Sequence, residues 1–159
     1  IREGFLLIVL SAMPRDRISQ ASTIWGAFDW GSRISMDDIP WIDLVIVGSV
    51  AVNRAGARVG KGGGYADLEY GILREVGAIG SSTPVITVVH DLQVVDFEIP
   101  MEEHDLPVDL IVTPTRVIEA EGRYPKPRGV YWDRVGGDMM ARMPILAELA
   151  RRLRGEGAI

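Results

Sequence analysis

The segment "IDLVIVGSVAVNRAGARVGKGGGYADLEYGILREVG", residues 42–77, contains a strand pattern, a glycine-rich loop and a helix pattern in that order. Residues 42–47 are apolar with one exception, which is typical of a parallel strand covered on both faces. We predict a helix over residues 65–76 that stops at Gly77, because apolar residues recur there every four positions. These recurring residues are Leu68, Ile72 and Val76. A strand, a loop and a helix in this order predict one unit of an α/β fold.

Strand and helix patterns alternate along the rest of the chain. Apolar and β-branched runs predict strands over residues 5–10, 83–90 and 108–115. A helix that begins near Pro144 follows, because apolar residues recur on one face and arginines fill its last turn. This alternation predicts a layered α/β fold with a mainly parallel central sheet flanked by helices. No pattern marks a domain boundary, so we expect a single α/β domain over residues 1–159.

Composition narrows the classes of function. The chain has 47% hydrophobic residues, which can build a core, and a net charge of −5, which argues against a nucleic-acid partner. No apolar run reaches the roughly 18 residues that a membrane span needs. The sequence contains no cysteine, which excludes a thiolate nucleophile and fits a cytoplasmic location. The chain opens with Ile1 in a strand pattern and shows no signal peptide, so we expect the native protein to have an N-terminal segment missing here.

The glycine-rich loop has the composition of an anion-binding loop. Its glycines surround Lys61 and are Gly60, Gly62, Gly63 and Gly64. Their spacing matches neither a P-loop nor the dinucleotide fingerprint. Glycines still let backbone N–H groups approach phosphate oxygens, a helix start favours an anion, and Lys61 and Arg58 add positive charge. The alternative is a flexible surface loop in which Asp67 is an ordinary helix-start residue.

Two acidic positions predict a cation beside the phosphate. Asp67 lies in the first turn after the loop, and a carboxylate next to phosphate usually needs a cation between them, such as Mg²⁺. Asp105 lies in a stiff acidic turn within residues 97–114, before a predicted strand. Loops that leave the carboxyl ends of parallel strands share one edge of the sheet, so we expect the two carboxylates to converge there. For His90 and His104 we favour hydrogen-bonding or surface roles over metal ligation.

Two blocks of the sequence together resemble a known family. "GARVGKGGGYAD", residues 56–67, is similar to the signature of the 5-formyltetrahydrofolate cyclo-ligases, also called methenyltetrahydrofolate synthetases. "IPMEEHDLPVDLIVTPT", residues 99–115, resembles the second block of that family, and Gln93 falls where the family often has Gln. The resemblance implies an α/β fold and the conversion of a reduced folate, 5-formyltetrahydrofolate, to 5,10-methenyltetrahydrofolate. It also implies ATP and Mg²⁺ and a phosphorylated formyl intermediate.

The resemblance assigns roles to matching positions. The residues that it places around ATP are Arg58, Gly60, Lys61, Gly62, Gly63, Gly64 and Tyr65. Tyr65 would also lie beside the folate, and Asp67 and Asp105 match the magnesium ligands. No residue is assigned as a catalytic nucleophile, because phosphoryl transfer needs positioning and charge neutralisation instead.

The chain departs from the family in two respects. Ala66 stands where the family usually has a second aromatic residue, and no match is found for the family's N-terminal nucleotide-binding and folate-binding residues. Two other functions therefore stay open, a non-catalytic folate- or nucleotide-binding module and a phosphate-binding domain that works through a protein partner. For Trp25 and Trp30, stacking on a pterin ring and packing in a core or lid both stay open. The sequence predicts no oligomeric state.

Overall fold

A computed structural model of the chain describes residues 4–155, which form two compact units. The terminal unit contains the chain up to Ile39 and again from Gly136 onward, and the central unit is Pro40–Val135. Each unit is described below by itself. The expectation of a single α/β domain over the whole chain stays a prediction.

The helices and strands are short, and most connections between them are irregular. In chain order they are β1 (Phe5–Leu7), α1 (Ile18–Ala21), α2 (Ile24–Trp30), β2 (Ser32–Ile34), β3 (Val45–Val47), β4 (Ala51–Asn53), β5 (Arg58–Val59), α3 (Tyr65–Glu75), β6 (Val85–Val88), β7 (Val94–Val95), β8 (Leu110–Val112), β9 (Val117–Glu119), α4 (Gly137–Arg142) and α5 (Pro144–Leu153). Within residues 4–155, no helix combines the length and the hydropathy that are needed to cross a bilayer.

The central unit is built on a four-stranded sheet with the order β3-β6-β8-β9. Strands β3, β6 and β8 are parallel, with Val45 opposite Val85 and Ile86 opposite Leu110, and β9 is antiparallel. Helix α3 lies in the connection from β3 to β6, as a parallel pair requires a crossover. A second sheet, β5-β4-β7, joins an antiparallel hairpin to a parallel strand. Parallel strands with helix α3 in the connection from β3 to β6 confirm the predicted α/β fold class.

Strand β3 is an exception to the predicted pattern. It was expected to be apolar and covered on both faces over residues 42–47, but it is three residues long and lies at the edge of the sheet. Val47 points into the core, whereas 66% of the surface of Ile46 is exposed. The prediction of burial on both faces is therefore wrong for this part of the chain. Ile86 on β6 and Leu110 on β8 share the face of Ile46 and are only half-buried, so this face of the sheet is not fully covered.

Helix α3 begins and ends close to the predicted residues. It spans Tyr65–Glu75, and Gly77 follows with a φ of 72°, in the left-handed region that glycine adopts without strain. The Gly77 N–H donates to the Arg74 carbonyl at 3.2 Å, and the Ala78 N–H donates to the Leu73 carbonyl at 3.0 Å. These two bonds form a Schellman motif. The predicted stop at Gly77 is confirmed, because the motif satisfies carbonyl groups at the end of the helix.

The terminal unit pairs β1 with β2 in an antiparallel ribbon and contains four helices among its described residues. Helix α5 begins with Pro144 in its first turn, as predicted, and buries Ile145 and Leu149. The predicted strand over residues 5–10 shortens to β1 and is followed by a turn of 3₁₀ helix. Trp25 on α2 is 82% exposed, so core packing does not describe this residue.

The buried Tyr70 hydroxyl gives a test of the packing beneath α3. Tyr70 is 1% exposed, and its hydroxyl has no hydrogen-bond partner among the described residues. Because an unpaired buried polar group costs roughly 1–3 kcal/mol, Tyr70→Phe is expected to raise the free energy of unfolding by about 1 kcal/mol. Urea titration measures the change, with Tyr124→Phe as the control. A loss of stability in Tyr70→Phe would show that the hydroxyl is paired.

The same variant is expected to change the alkaline pH dependence. Burial raises the pKa of Tyr70 above its ordinary value of 10.0, so the folded protein keeps the neutral phenol after the unfolded chain has begun to ionise. This difference contributes fully to the free energy of unfolding below about pH 10, the pKa of the unfolded chain. The contribution is lost as the pH rises from there through the raised pKa of the folded protein. Tyr70→Phe should therefore lose less stability than the wild type between about pH 9 and about pH 11. Equal losses in both proteins would contradict the raised pKa.

Candidate functional site

A β-hairpin places the glycine-rich loop. Strands β4 and β5 pair through Ala51 with Val59, and the turn between them is closed by Asn53. The Asn53 side chain accepts from the Ala57 N–H at 3.1 Å and donates to the Phe97 carbonyl at 3.2 Å. Asn53 is buried, so its amide is well placed to organise both the turn and the segment that follows β7. The hairpin therefore places β5 and the loop after it next to residues 97–106.

Gly56 brings the hairpin turn against the segment before β8. Its φ is 90°, and its carbonyl accepts from the Val108 N–H at 2.9 Å. A Cβ atom at this position would lie 2.7 Å from the Val108 carbonyl oxygen, closer than any real side chain approaches. Gly56 is therefore required both for its conformation and for this close approach.

The loop itself needs its glycines for conformation. Gly62, Gly63 and Gly64 have φ values of 89°, 92° and 64°, so three successive residues adopt a conformation that other residues rarely take. The last of them precedes α3 directly and supplies no side-chain cap, so the first N–H groups of the helix keep their capacity for an anion. Lys61 is exposed, and within residues 4–155 its ammonium group has no ion pair or hydrogen bond. The loop thus combines accessible backbone donors with one mobile positive charge.

Arg58, Asp67 and Leu106 form a buried cluster beneath the loop, which we call the clamp. Arg58 donates from Nη2 to Asp67 Oδ1 at 2.5 Å and from Nε to the Leu106 carbonyl at 2.8 Å. The Leu106 N–H donates to the same Asp67 oxygen at 2.9 Å. The clamp therefore joins β5, the first turn of α3 and the acidic turn through three charge-assisted hydrogen bonds.

One cleft brings the two sequence blocks together. It has a volume of about 360 Å³. Its lining residues are Arg58, Val59, Gly60, Gly62, Gly64, Asp67, Ile99, Pro100, His104, Asp105 and Leu106. The expectation that Asp67 and Asp105 come to the same place is thus met to the extent that both line this cleft. The lining does not include Lys61, Gly63 or Tyr65, although all three lie on the loop or at the start of α3.

Comparison with known proteins agrees with this geometry. Residues 11–114 match the model of the 5-formyltetrahydrofolate cyclo-ligase family. The chain belongs to this family. It is 47% identical over 139 residues to a methenyltetrahydrofolate synthase domain-containing protein of Homo sapiens, covering 87% of this chain and 36% of that protein. It is 46% identical over 136 residues to the Bos taurus protein of the same name, covering 85% of this chain and 36% of that protein.

A bacterial relative is more distant. The 5-formyltetrahydrofolate cyclo-ligase of Mycolicibacterium smegmatis is 32% identical over 110 residues, covering 60% of this chain and 53% of that protein. The chain therefore spans little more than a third of the human and bovine relatives and about half of the bacterial one. The resemblance predicted from the two sequence blocks is confirmed, and the individual roles that it assigned to site residues stay predictions.

Gln93 and His90 have structural roles in this member of the cyclo-ligase family. Gln93 donates to the Ser49 carbonyl at 3.0 Å and accepts from the His90 N–H at 2.8 Å, and so connects the end of β6 to the entry into β4. His90 Nδ1 accepts from the Leu92 N–H at 3.2 Å. The predicted hydrogen-bonding role of His90 is confirmed. His104 lies 3.8 Å from Asp105 Oδ1 and stacks at a tilt against Tyr131, with 6.3 Å between the ring centroids.

Sequence analysis missed the clamp and the environment of Glu69. Arg58 was assigned to phosphate and Asp67 to metal, yet the two side chains bind each other. The available signal was a basic residue before the glycine-rich loop and an acidic residue in the first turn of the helix after it, but Leu106 is too distant in sequence to be inferred. Burial raises the pKa of the Glu69 carboxyl, and the negative charge of Asp67 raises it further.

Substitutions at Gly56 and Gly62 form a matched pair that tests the close contact between the hairpin turn and Val108. Both have a φ close to 90°, but a Cβ atom at Gly62 would meet nothing within 4 Å. Gly56→Ala and Gly62→Ala therefore share the conformational strain, and only Gly56→Ala adds a clash with the Val108 carbonyl. We expect Gly56→Ala to lose roughly 1–3 kcal/mol more stability in urea titration. Equal losses of stability in the two variants would show that the hairpin can shift away from Val108 without a cost in free energy.

Proposed function

We propose that this protein converts 5-formyltetrahydrofolate to 5,10-methenyltetrahydrofolate with ATP and Mg²⁺. The observation that carries the proposal is the cleft in which the glycine-rich loop and the acidic turn meet, in a chain that belongs to the cyclo-ligase family. A phosphate-binding loop and acidic side chains at one cleft are the parts that phosphoryl transfer needs. The bacterial relative is named for the same activity.

The loop would bind the phosphates of ATP. Backbone N–H groups of residues 60–64 and of the first turn of α3 would donate to phosphate oxygens, and Lys61 would reach them as a mobile cation. The positive φ values of three successive glycines favour this role, because turns of this kind turn N–H groups toward a shared anion. Tyr65, whose ring packs on Gly63, would lie where the nucleotide and the folate meet.

The two acidic residues suit a magnesium ion that also binds phosphate. Asp67 Oδ1 is held by the Leu106 N–H, and Asp105 Oδ2 accepts from the Glu102 N–H at 2.8 Å. The other oxygen of each carboxylate makes no hydrogen bond within residues 4–155. Residues 4–155 contain no group of three or more His, Cys, Asp and Glu side chains that could hold a metal. Mg²⁺ requires only one or two carboxylates when phosphate and water complete its shell. When bound, it would neutralise charge on the phosphates.

The chemistry would proceed without a protein nucleophile. The formyl oxygen of the substrate attacks the γ-phosphorus, and ADP leaves with the electron pair of the broken P–O bond. The second folate nitrogen then attacks the activated carbon, and phosphate departs with the former formyl oxygen while that nitrogen loses its proton. The protein would hold the two substrates in line and stabilise charge on the transferring group.

A non-catalytic folate- or nucleotide-binding module is the second candidate. Two observations favour it, namely the presence of Ala66 at the usual aromatic position and the names of the human and bovine relatives, which state only a synthase domain. Both candidates use the same cleft and differ only in turnover. The cytoplasmic location and the absence of a nucleic-acid partner stay predictions.

Turnover by the complete protein tests the proposal. Methenyl-folate absorbance is expected to appear from 5-formyltetrahydrofolate only when ATP and Mg²⁺ are both present. Lys61→Ala should lower kcat/KM by at least about tenfold, because charged hydrogen bonds contribute roughly 1.5–3 kcal/mol. Arg54→Ala, which removes an exposed charge from the hairpin turn, is the control. A protein that binds both ligands in calorimetry but forms no product would establish the binding module instead.

The metal assignment is tested by paired substitutions. Asp67→Asn and Asp105→Asn should each raise the Mg²⁺ concentration needed for half-maximal turnover, because each removes a charge from the metal site. The double variant should need only slightly more Mg²⁺ for half-maximal turnover than the more impaired single variant, since both residues bind one ion. Glu103→Gln is the control, because this exposed carboxylate lies outside the cleft. Unchanged magnesium dependence in both single variants would exclude the assignment.

A further inference from the structure

Arg58 lines the cleft, but most of its side chain is already engaged within the protein. Its side chain is 4% exposed, and its Nε and Nη2 atoms already donate to Leu106 and Asp67. Its third nitrogen, Nη1, lies under the loop, since a Cβ atom at Gly60 would be 3.4 Å away. The guanidinium group therefore binds the acidic turn and the first turn of α3, and its Nη1 atom lies close to Gly60, the first glycine of the loop.

We infer that Arg58 is a positioning residue, which holds the glycine-rich loop and Asp67 in their binding conformation before any nucleotide arrives. The Arg58–Asp67 pair closes the chain around residues 59–66, so the loop begins and ends at one ion pair. Leu106 accepts from Arg58 through its carbonyl and donates to Asp67 through its N–H, which fixes the acidic turn to the same point. The inference rests on the proposed function only in naming ATP as the ligand of the loop.

A phosphate bound by Arg58 with the clamp closed could use only the N–H groups that the clamp leaves unpaired within residues 4–155, those of Nη1 and the second N–H of Nη2, and a fork of Nε and Nη2 on phosphate would require the clamp to open. A guanidinium group that rotated toward the cleft would leave the Leu106 carbonyl and the Asp67 carboxylate without their donor, in a place largely closed to water. Lys61 has no such competing partner within residues 4–155 and lies on the exposed loop. The geometry thus gives the two cations different roles. Lys61 is available to bind the ligand, and Arg58 holds the loop in place. A loop that is ordered in advance binds its ligand without a further loss of entropy.

Hydrogen exchange without nucleotide separates the two roles. If Arg58 positions the loop, Arg58→Lys should speed exchange of two hydrogen-bonded amides, Leu68 at the end of the loop and Leu106 in the clamp, by roughly 10- to 100-fold, because lysine cannot donate to both partners in a fixed fork. Its affinity for Mg-ATP, measured by calorimetry, should fall as well. Arg54→Lys is the matched control, an exposed arginine in the same hairpin, and should change neither quantity.

A direct phosphate ligand would give the opposite pattern. Arg58→Lys would then weaken Mg-ATP binding while exchange without nucleotide stayed at the wild-type rate, and this result would overturn the inference. If Arg58→Lys does not fold, Asp67→Asn replaces it, because it keeps the oxygen but removes the charge that holds Arg58. Exchange of the Arg58 Nε–H in the wild-type protein is a further check by NMR. A slow rate without ATP supports the clamp, and a rate like that of exposed arginines contradicts it.

These measurements also separate the inference from the proposed function. A wild-type protein that fails to bind Mg-ATP would exclude the proposed function, while exchange without nucleotide would still report whether Arg58 orders the loop. Conversely, normal turnover with an Arg58 that exchanges freely would retain the proposed function and remove the positioning role.

Discussion

The ion pair between Arg58 and Asp67 brings three separate segments to one point. Arg58 begins the two-residue strand β5, Asp67 lies in the first turn of α3, and Leu106 belongs to the acidic turn that precedes β8. Removing one partner from a buried pair commonly costs roughly 3–5 kcal/mol, since the other charge is then left uncompensated. The shape of the cleft therefore depends on this pair more than on any single hydrophobic contact.

The glycines around the cleft are needed for two different physical reasons, close approach to another segment and an unusual backbone conformation. Gly56 allows the hairpin turn to approach the Val108 carbonyl, which sets the distance between β5 and the start of β8. Gly62, Gly63 and Gly64 turn the chain into α3 through positive φ values. Gly56 is thus required by a contact as well as by its conformation, and the last three glycines by backbone conformation. A count of glycines in the sequence does not separate these reasons.

Local signals in the sequence predicted local structure well. The end of α3 at Gly77 and the start of α5 at Pro144 follow from chemistry within a few residues of each position. The environment of β3 was predicted incorrectly because the cover over each face of a sheet depends on segments distant in sequence, which the strand's own residues do not encode. The clamp was missed for the same reason, since Leu106 lies 48 residues after Arg58. The shared cleft was predictable because loops that follow parallel strands meet at one edge of the sheet, and the two blocks that match one family contain the same residues.

Charge at the cleft gives a physical reason for a metal ion. Arg58 and Lys61 carry two positive charges, and Asp67 and Asp105 carry two negative ones, so the four side chains together are neutral. The positive charge of Arg58 is further offset at close range by Asp67, which leaves Lys61 as the cation free to meet a phosphate chain. A triphosphate would then face Asp105 with little compensation, and like charges at short range repel strongly in a site of reduced polarity. A divalent cation between the acidic residues and the phosphates reverses the sign of that interaction. Under the proposed function, the clamp would therefore both order the loop and make its binding of phosphate depend on a metal.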